Sequence, residues 1–155
     1  MKTKILLLTI VLLLGIMNIE AQSLSSKDVV DISANVSVEK KIILEIRLDI
    51  RDGWHINSNK PFDEFLTPTS VSLKDSSAFS EIKTEYPAPE IIRLEFSQTD
   101  LSLYQNQAVI KMILKPKDSE IKEINIEGSV FYQPCNNQTC LFPTKKQFSA
   151  VYKSK

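Results

Sequence analysis

One stretch of this chain limits its fold more than any other. Ile42, Leu44, Ile46, Leu48 and Ile50 alternate with Ile43, Glu45, Arg47, Asp49 and Arg51. Successive residues of a strand point to opposite faces, so one face of this segment is wholly apolar and the other mostly charged. That is the pattern of a strand buried on one side. It returns at Ala108, Ile110, Met112 and Leu114, at Ile124, Ile126, Gly128, Val130 and Tyr132, and at Phe148, Ala150 and Tyr152. Residues 29–38 and 70–73 read as further strands with a weaker signal. Turn signals separate them: Asp52-Gly53, Lys60-Pro61, Thr67-Pro68, Pro87-Ala88-Pro89 and Lys115-Pro116. The expected fold class is all-β, an immunoglobulin-like antiparallel β-sandwich of roughly seven to nine short strands. Residues 52–68 and 86–106 lack clean alternation and are expected to be the long loops, where binding concentrates on such a scaffold.

The first residues are of another kind. Lys2 and Lys4 precede an apolar run from Ile5 to Met17, and Asn18-Ile19-Glu20-Ala21-Gln22 follows. A basic start, a short apolar core and a small residue before a polar one describe a secretory signal peptide. The run is too short for a spanning helix, which needs about 20 residues. Cleavage is expected after Ala21, which leaves residues 22–155 as one domain. Without Lys2, Lys4 and Glu20, the 19 basic and 19 acidic residues become 17 and 18, a net charge of −1. That balance gives no ground for nucleic acid or an anionic membrane as partner.

Only two cysteines occur, Cys135 and Cys140, and both follow the leader. Export places them in an oxidising compartment, where disulfides persist. Asn136-Asn137-Gln138-Thr139 between them is polar and turn-prone, so a four-residue loop closing a hairpin would set the two opposite each other. Opposed strand residues lie about 4.5–5.5 Å apart at Cα, within disulfide reach. Pro134 and Pro143 flank the pair. Neither can donate to a ladder, so regular pairing is expected to stop there and leave the sulfurs accessible. A bridge closing six residues is worth roughly 2 kcal/mol in the entropy model. That is little for a domain large enough to hold its own core. Bridges across short hairpins are expected to be strained and reducible. These local features leave three readings open: a redox-active pair, a structural clamp on a non-catalytic binding module, and a Cu(I) site using both thiolates. His55 is the one histidine, so the pair is not part of a usual zinc ligand set, and the favoured redox reading implies no cofactor.

The hairpin also carries a resemblance. Phe131-Tyr132-Gln133 before the pair and Leu141-Phe142-Pro143 after it resemble the active-site hairpin of the N-terminal periplasmic domain of DsbD, a membrane thiol–disulfide reductase. Asp52-Gly53-Trp54-His55-Ile56, Thr67-Pro68-Thr69 and Tyr86-Pro87-Ala88-Pro89 are similar to the same family, and the resemblance covers about residues 28–152. It implies an immunoglobulin-like sandwich in the periplasm of a Gram-negative-type bacterium. It implies a monomer that takes electrons from a membrane thiol–disulfide transporter. Its acceptors would be thioredoxin-like proteins, including those of cytochrome c maturation, or disulfide isomerases. Cys140 would be the attacking thiol and Cys135 the resolving one. Phe96 would be the aromatic cap over the disulfide. From their own positions, Tyr132 and Phe142 flank the cysteines and are candidates for an apolar, partner-facing rim, while His55 either sits by the sulfurs and tunes them or, like Trp54, simply packs at a strand end. Two departures stand out. The best-known members carry five residues between the cysteines where this chain has four. Residues 22–155 also leave no room for the family's membrane and C-terminal thioredoxin-like domains, so the donor would be another polypeptide.

Overall fold

The computed structural model describes residues 24–38, 41–94 and 97–154. The leader expected at residues 1–21 and Phe96, the expected cap, therefore lie outside the described residues. A 3-10 turn at Ser26–Asp28 is followed by eleven strands: β1 (Val30–Val38), β2 (Ile42–Ile50), β3 (His55–Asn57), β4 (Ser70–Leu73), β5 (Phe79–Glu85), β6 (Glu90–Ile92), β7 (Leu101–Gln105), β8 (Gln107–Pro116), β9 (Glu123–Tyr132), β10 (Pro134–Cys135) and β11 (Thr144–Lys153). All pairings are antiparallel. The expected all-β, immunoglobulin-like sandwich is what forms. The count exceeds seven to nine because three of the strands, β3, β6 and β10, are only two or three residues long.

Two layers carry the core. One runs β1-β2-β8-β5 and the other β11-β9-β4. Every second residue of β2 from Ile42 to Ile50 is buried, as are Ala108, Ile110, Met112 and Leu114 on β8. These meet Ile126, Val130 and Tyr132 of β9 and Phe148, Ala150 and Tyr152 of β11 in one cluster. Each fully buried Leu or Ile contributes about 1.5–3 kcal/mol of transfer free energy, so this alternation sets the register of both layers. The open side of β1 faces β11. There the Lys146 ammonium donates to the carbonyl oxygens of Lys27 (2.9 Å) and Val30 (2.6 Å) and to Asp31 Oδ1 (3.0 Å).

A third, smaller sheet of order β10-β3-β7-β6 grows from strands that leave the two layers. At the end of β2 the chain turns through Arg51-Asp52-Gly53-Trp54, closed by Trp54 N–H donating to Arg51 O at 3.0 Å. Gly53 at the third position has φ +78°, the left-handed value that a type II turn needs and glycine adopts without penalty. β7 passes into β8 through Asn106, φ 55°; asparagine tolerates this region better than most residues. Ile50 N–H donates to Asn106 O at 2.7 Å, which ties the two crossings together. β9 makes a third crossing: after Tyr132 its continuation, β10, pairs with β3. The cysteine hairpin sits at this crossing.

Candidate functional site

The ladder between β9 and β11 ends at Tyr132 opposite Thr144, immediately inside the two prolines, as their missing N–H groups require. Between them the chain closes a tight hairpin. Asn136 N–H donates to Thr139 O, and Leu141 N–H donates to Pro134 O, both at 2.9 Å. These bonds bracket Cys135 and Cys140, which makes the cysteines a non-hydrogen-bonded cross-strand pair, the closer of the two antiparallel kinds. Their Cα atoms lie 4.0 Å apart, and a disulfide joins them. The tip is built by its own side chains. Asn136 Oδ1 accepts from the N–H groups of Gln138 and Thr139, each at 2.8 Å, an Asx turn that prefers asparagine at this position. Gln133 Nε2 donates to Leu141 O at 3.0 Å and holds the base of the hairpin together.

Burial divides the two sulfur-bearing residues. Cys135 is 5% exposed, because β10 is hydrogen-bonded into the small sheet beside β3. Cys140 belongs to no strand and is exposed. The expectation that both sulfurs would be accessible is therefore met at Cys140 alone. Exchange requires a thiolate to approach along the S–S axis, and only one end of this bridge offers that approach.

The other residues singled out from sequence fall in three different places. Phe142 is 88% exposed. It stands two residues beyond Cys140, with its backbone oxygen accepting from Ser26 Oγ at 2.6 Å. Tyr132 is not at the rim: it is fully buried. Its position on the apolar face of β9 turns the ring into the core, and its hydroxyl donates to Ser26 O at 3.4 Å. Burial, with Asp31 and Asp28 nearby, pushes its phenol up to about 12. His55 is 4% exposed and is the register partner of Cys135. Burial holds its imidazole below the ordinary histidine value. Trp54 packs against the core cluster.

The structure also shows residues that the sequence did not point to. Gln105 is the partner of His55 on the next strand. Phe62 and Phe65, 63% and 88% exposed, stand in the loop between β3 and β4. That loop is anchored where Asn57 Nδ2 donates to Thr67 O (3.0 Å) and Thr69 Oγ1 donates to Asn57 O (2.6 Å). Of the two basic residues nearest the pair in sequence, Lys145 and Lys146, the second is committed elsewhere. Lys146 is engaged with Lys27, Val30 and Asp31, as described above.

Comparison with known proteins agrees with this geometry. The N-terminal periplasmic domain of ScsB from Proteus mirabilis superposes with a TM-score of 0.55 and 19% identity, covering 77% of this chain and 44% of that one. This chain thus spans less than half of that ScsB chain. The reduced DsbD N-terminal domain of Neisseria meningitidis gives a TM-score of 0.52 at 14% identity, covering 85% of this chain and 95% of that one. The same domain in complex with the PilB N-terminal domain gives 0.51 at 14% identity, covering 84% and 88%. At such identities the likeness is one of fold. No curated protein matches the chain at a significant level. The family model for the thiol:disulfide interchange protein DsbD, N-terminal, matches residues 20–151. With the sandwich, the small third sheet and the bridged hairpin in place, the chain belongs to the DsbD N-terminal domain family.

Proposed function

We propose that this chain is a periplasmic thiol–disulfide relay, exported by a signal peptide at residues 1–21 and working through residues 22–155. Electrons enter from a membrane thiol–disulfide transporter and leave to thioredoxin-like or isomerase proteins. The observation that carries this reading is the asymmetry of the bridge, with Cys140 exposed at the hairpin and Cys135 buried behind it. In the reduced form the Cys140 thiolate attacks one sulfur of a partner disulfide. A mixed disulfide forms, and the other partner sulfur leaves as thiolate. Cys135 then attacks Cys140 Sγ, the Cys135–Cys140 bond forms, and the partner departs with both electrons. The exposed Phe142 ring offers apolar contact beside the attacking sulfur, the kind of aromatic anchor that interfaces favour. A protein substrate is supported by the Neisseria domain of the same fold, which forms a complex with the PilB N-terminal domain.

The test is direct transfer. The dithiol form, freed of small thiols, is mixed with a disulfide-bonded thioredoxin-like protein, and thiols are counted by alkylation. One partner disulfide should open for each domain oxidised. A partner that stays oxidised here, yet is reduced by dithiothreitol, counts against the relay.

A further inference from the structure

The row of side chains that begins at the exposed sulfur does not stop at the buried one. Cys140 is paired across the hairpin with Cys135, Cys135 with His55 on β3, and His55 with Gln105 on β7. Directly opposite residues of antiparallel strands project from the same face, with Cβ atoms about 4.5–5.5 Å apart. The two sulfurs and the imidazole therefore stand in one line, from the far arm of the hairpin across β10 to β3. The backbone holds this line in register. Cys135 makes no ladder bonds towards Cys140, so its N–H and C=O turn the other way, towards β3.

The inner part of the row has little access to water. Cys135 and His55 are 5% and 4% exposed. A buried thiol is harder to ionise than a free one, and little solvent is at hand to take its proton. Yet Cys135 must lose that proton before it can resolve a mixed disulfide. The groups opposite His55 on its two flanking strands are Cys135 and the uncharged Gln105. Arg51 and Asp52, in the turn that leads into β3, are exposed to solvent. Burial lowers its affinity for protons, so the imidazole is neutral at pH 7 and has a lone pair to offer.

We propose that His55 is the base that takes the proton from Cys135 in the resolving step. The inference rests on the relay reading above. The Cys135 proton moves to the imidazole as its sulfur attacks Cys140 Sγ. The Cys135–Cys140 bond forms, the bond from Cys140 to the partner sulfur breaks, and its electron pair leaves with that sulfur. The imidazolium then returns its proton to the departing thiolate or to water.

The probe is a single-cysteine thioredoxin charged as its thionitrobenzoate disulfide and mixed with the reduced domain. Release of the coloured thiol reports attack by Cys140, and loss of the covalent domain–thioredoxin species on non-reducing gels reports resolution. In H55Q, resolution at pH 7 should slow by about 100-fold, while attack by Cys140 stays near the wild-type rate. The wild-type resolution rate should be flat above about pH 6.5, whereas in H55Q it should climb tenfold per pH unit towards about 8.5. H55Q resolving at the wild-type rate with the wild-type profile, or slowing both steps equally, overturns the proposal. If H55Q does not fold, the wild-type profile decides, and a rate that climbs steadily from pH 6.5 to 8.5 overturns it. A wild-type domain that forms no mixed disulfide at all overturns the relay reading instead.

Discussion

Cys140→Ala should abolish electron transfer to a partner disulfide, whereas Cys135→Ala should stop the reaction halfway, with a covalent domain–partner species accumulating towards one per domain. The difference follows from exposure. Cys140 is the sulfur-bearing residue a partner can reach, and Cys135 is 5% exposed behind it. Without Cys140 no attack begins. Without Cys135 the attack succeeds, but nothing displaces the partner. Stability does not explain the contrast. Either substitution opens the same bridge across a sequence separation of 5, and closing so short a loop is worth roughly 2 kcal/mol whichever end is removed. Both variants should therefore unfold at similar temperatures and differ only in what they do with a partner. Non-reducing electrophoresis after incubation with an oxidised thioredoxin-like protein distinguishes them. Equal adduct from both variants would contradict the assigned order, and sustained turnover by either would contradict the mechanism.

The largest stability effect from a single small change is expected at Gly128. This glycine lies on the core face of β9, directly opposite Phe148 of β11. The Phe148 ring occupies the space where a β-carbon would stand, and the Ser72 backbone oxygen of β4 would lie 2.6 Å from it. The ring could rotate away, but a carbonyl held in the β4–β9 ladder cannot. Gly128→Val therefore has to displace β4 or β11, and overpacking of this kind costs about 1–3 kcal/mol or more. For a domain of this size that corresponds to a fall in Tm of roughly 5–15 °C. Gly53→Ala is the useful contrast. There a β-carbon meets nothing within 4 Å, but φ is +78°, so the expected cost is backbone strain of about 1–2 kcal/mol. Thermal unfolding of both variants checks the account. A Gly128→Val protein that melts with the wild type would mean that Phe148 does not pack over β9 as described.

The parts of the fold that could be read in the sequence are those with one dry and one wet face. β2, β8, β9 and β11 alternate because one side meets the core and the other meets water. The strands of the small sheet do not. In β3, His55, Ile56 and Asn57 are all buried, and in β7 so are Ser102, Leu103 and Tyr104. A strand covered on both faces has no reason to alternate. Its polar members are kept by internal partners, as the 2.7 Å hydrogen bond between the Ser58 and Ser102 hydroxyls illustrates. β5 is missed for the opposite reason: as an edge strand it is exposed on most of its length. The site divides in the same way. The hairpin and its four-residue tip depend on local residues and could be expected. The pairing of Cys135 with His55 joins positions far apart in the chain, and no local pattern records it. Tyr132 was legible and is the instructive case. The alternation that places Val130 in the core places Tyr132 there too, and proximity to Cys135 in sequence does not change that parity.

The central claim is that Cys135 and Cys140 form a working redox couple and not a clamp. The most direct test is the reduction potential of the purified domain, equilibrated against a graded glutathione or dithiothreitol series and quantified by thiol alkylation. An exposed bridge that adds little stability should have a potential well above about −300 mV, in the range where thioredoxin-like proteins exchange electrons with it. A value below about −300 mV would contradict the claim and leave an immunoglobulin-like binding module with a structural hairpin bridge.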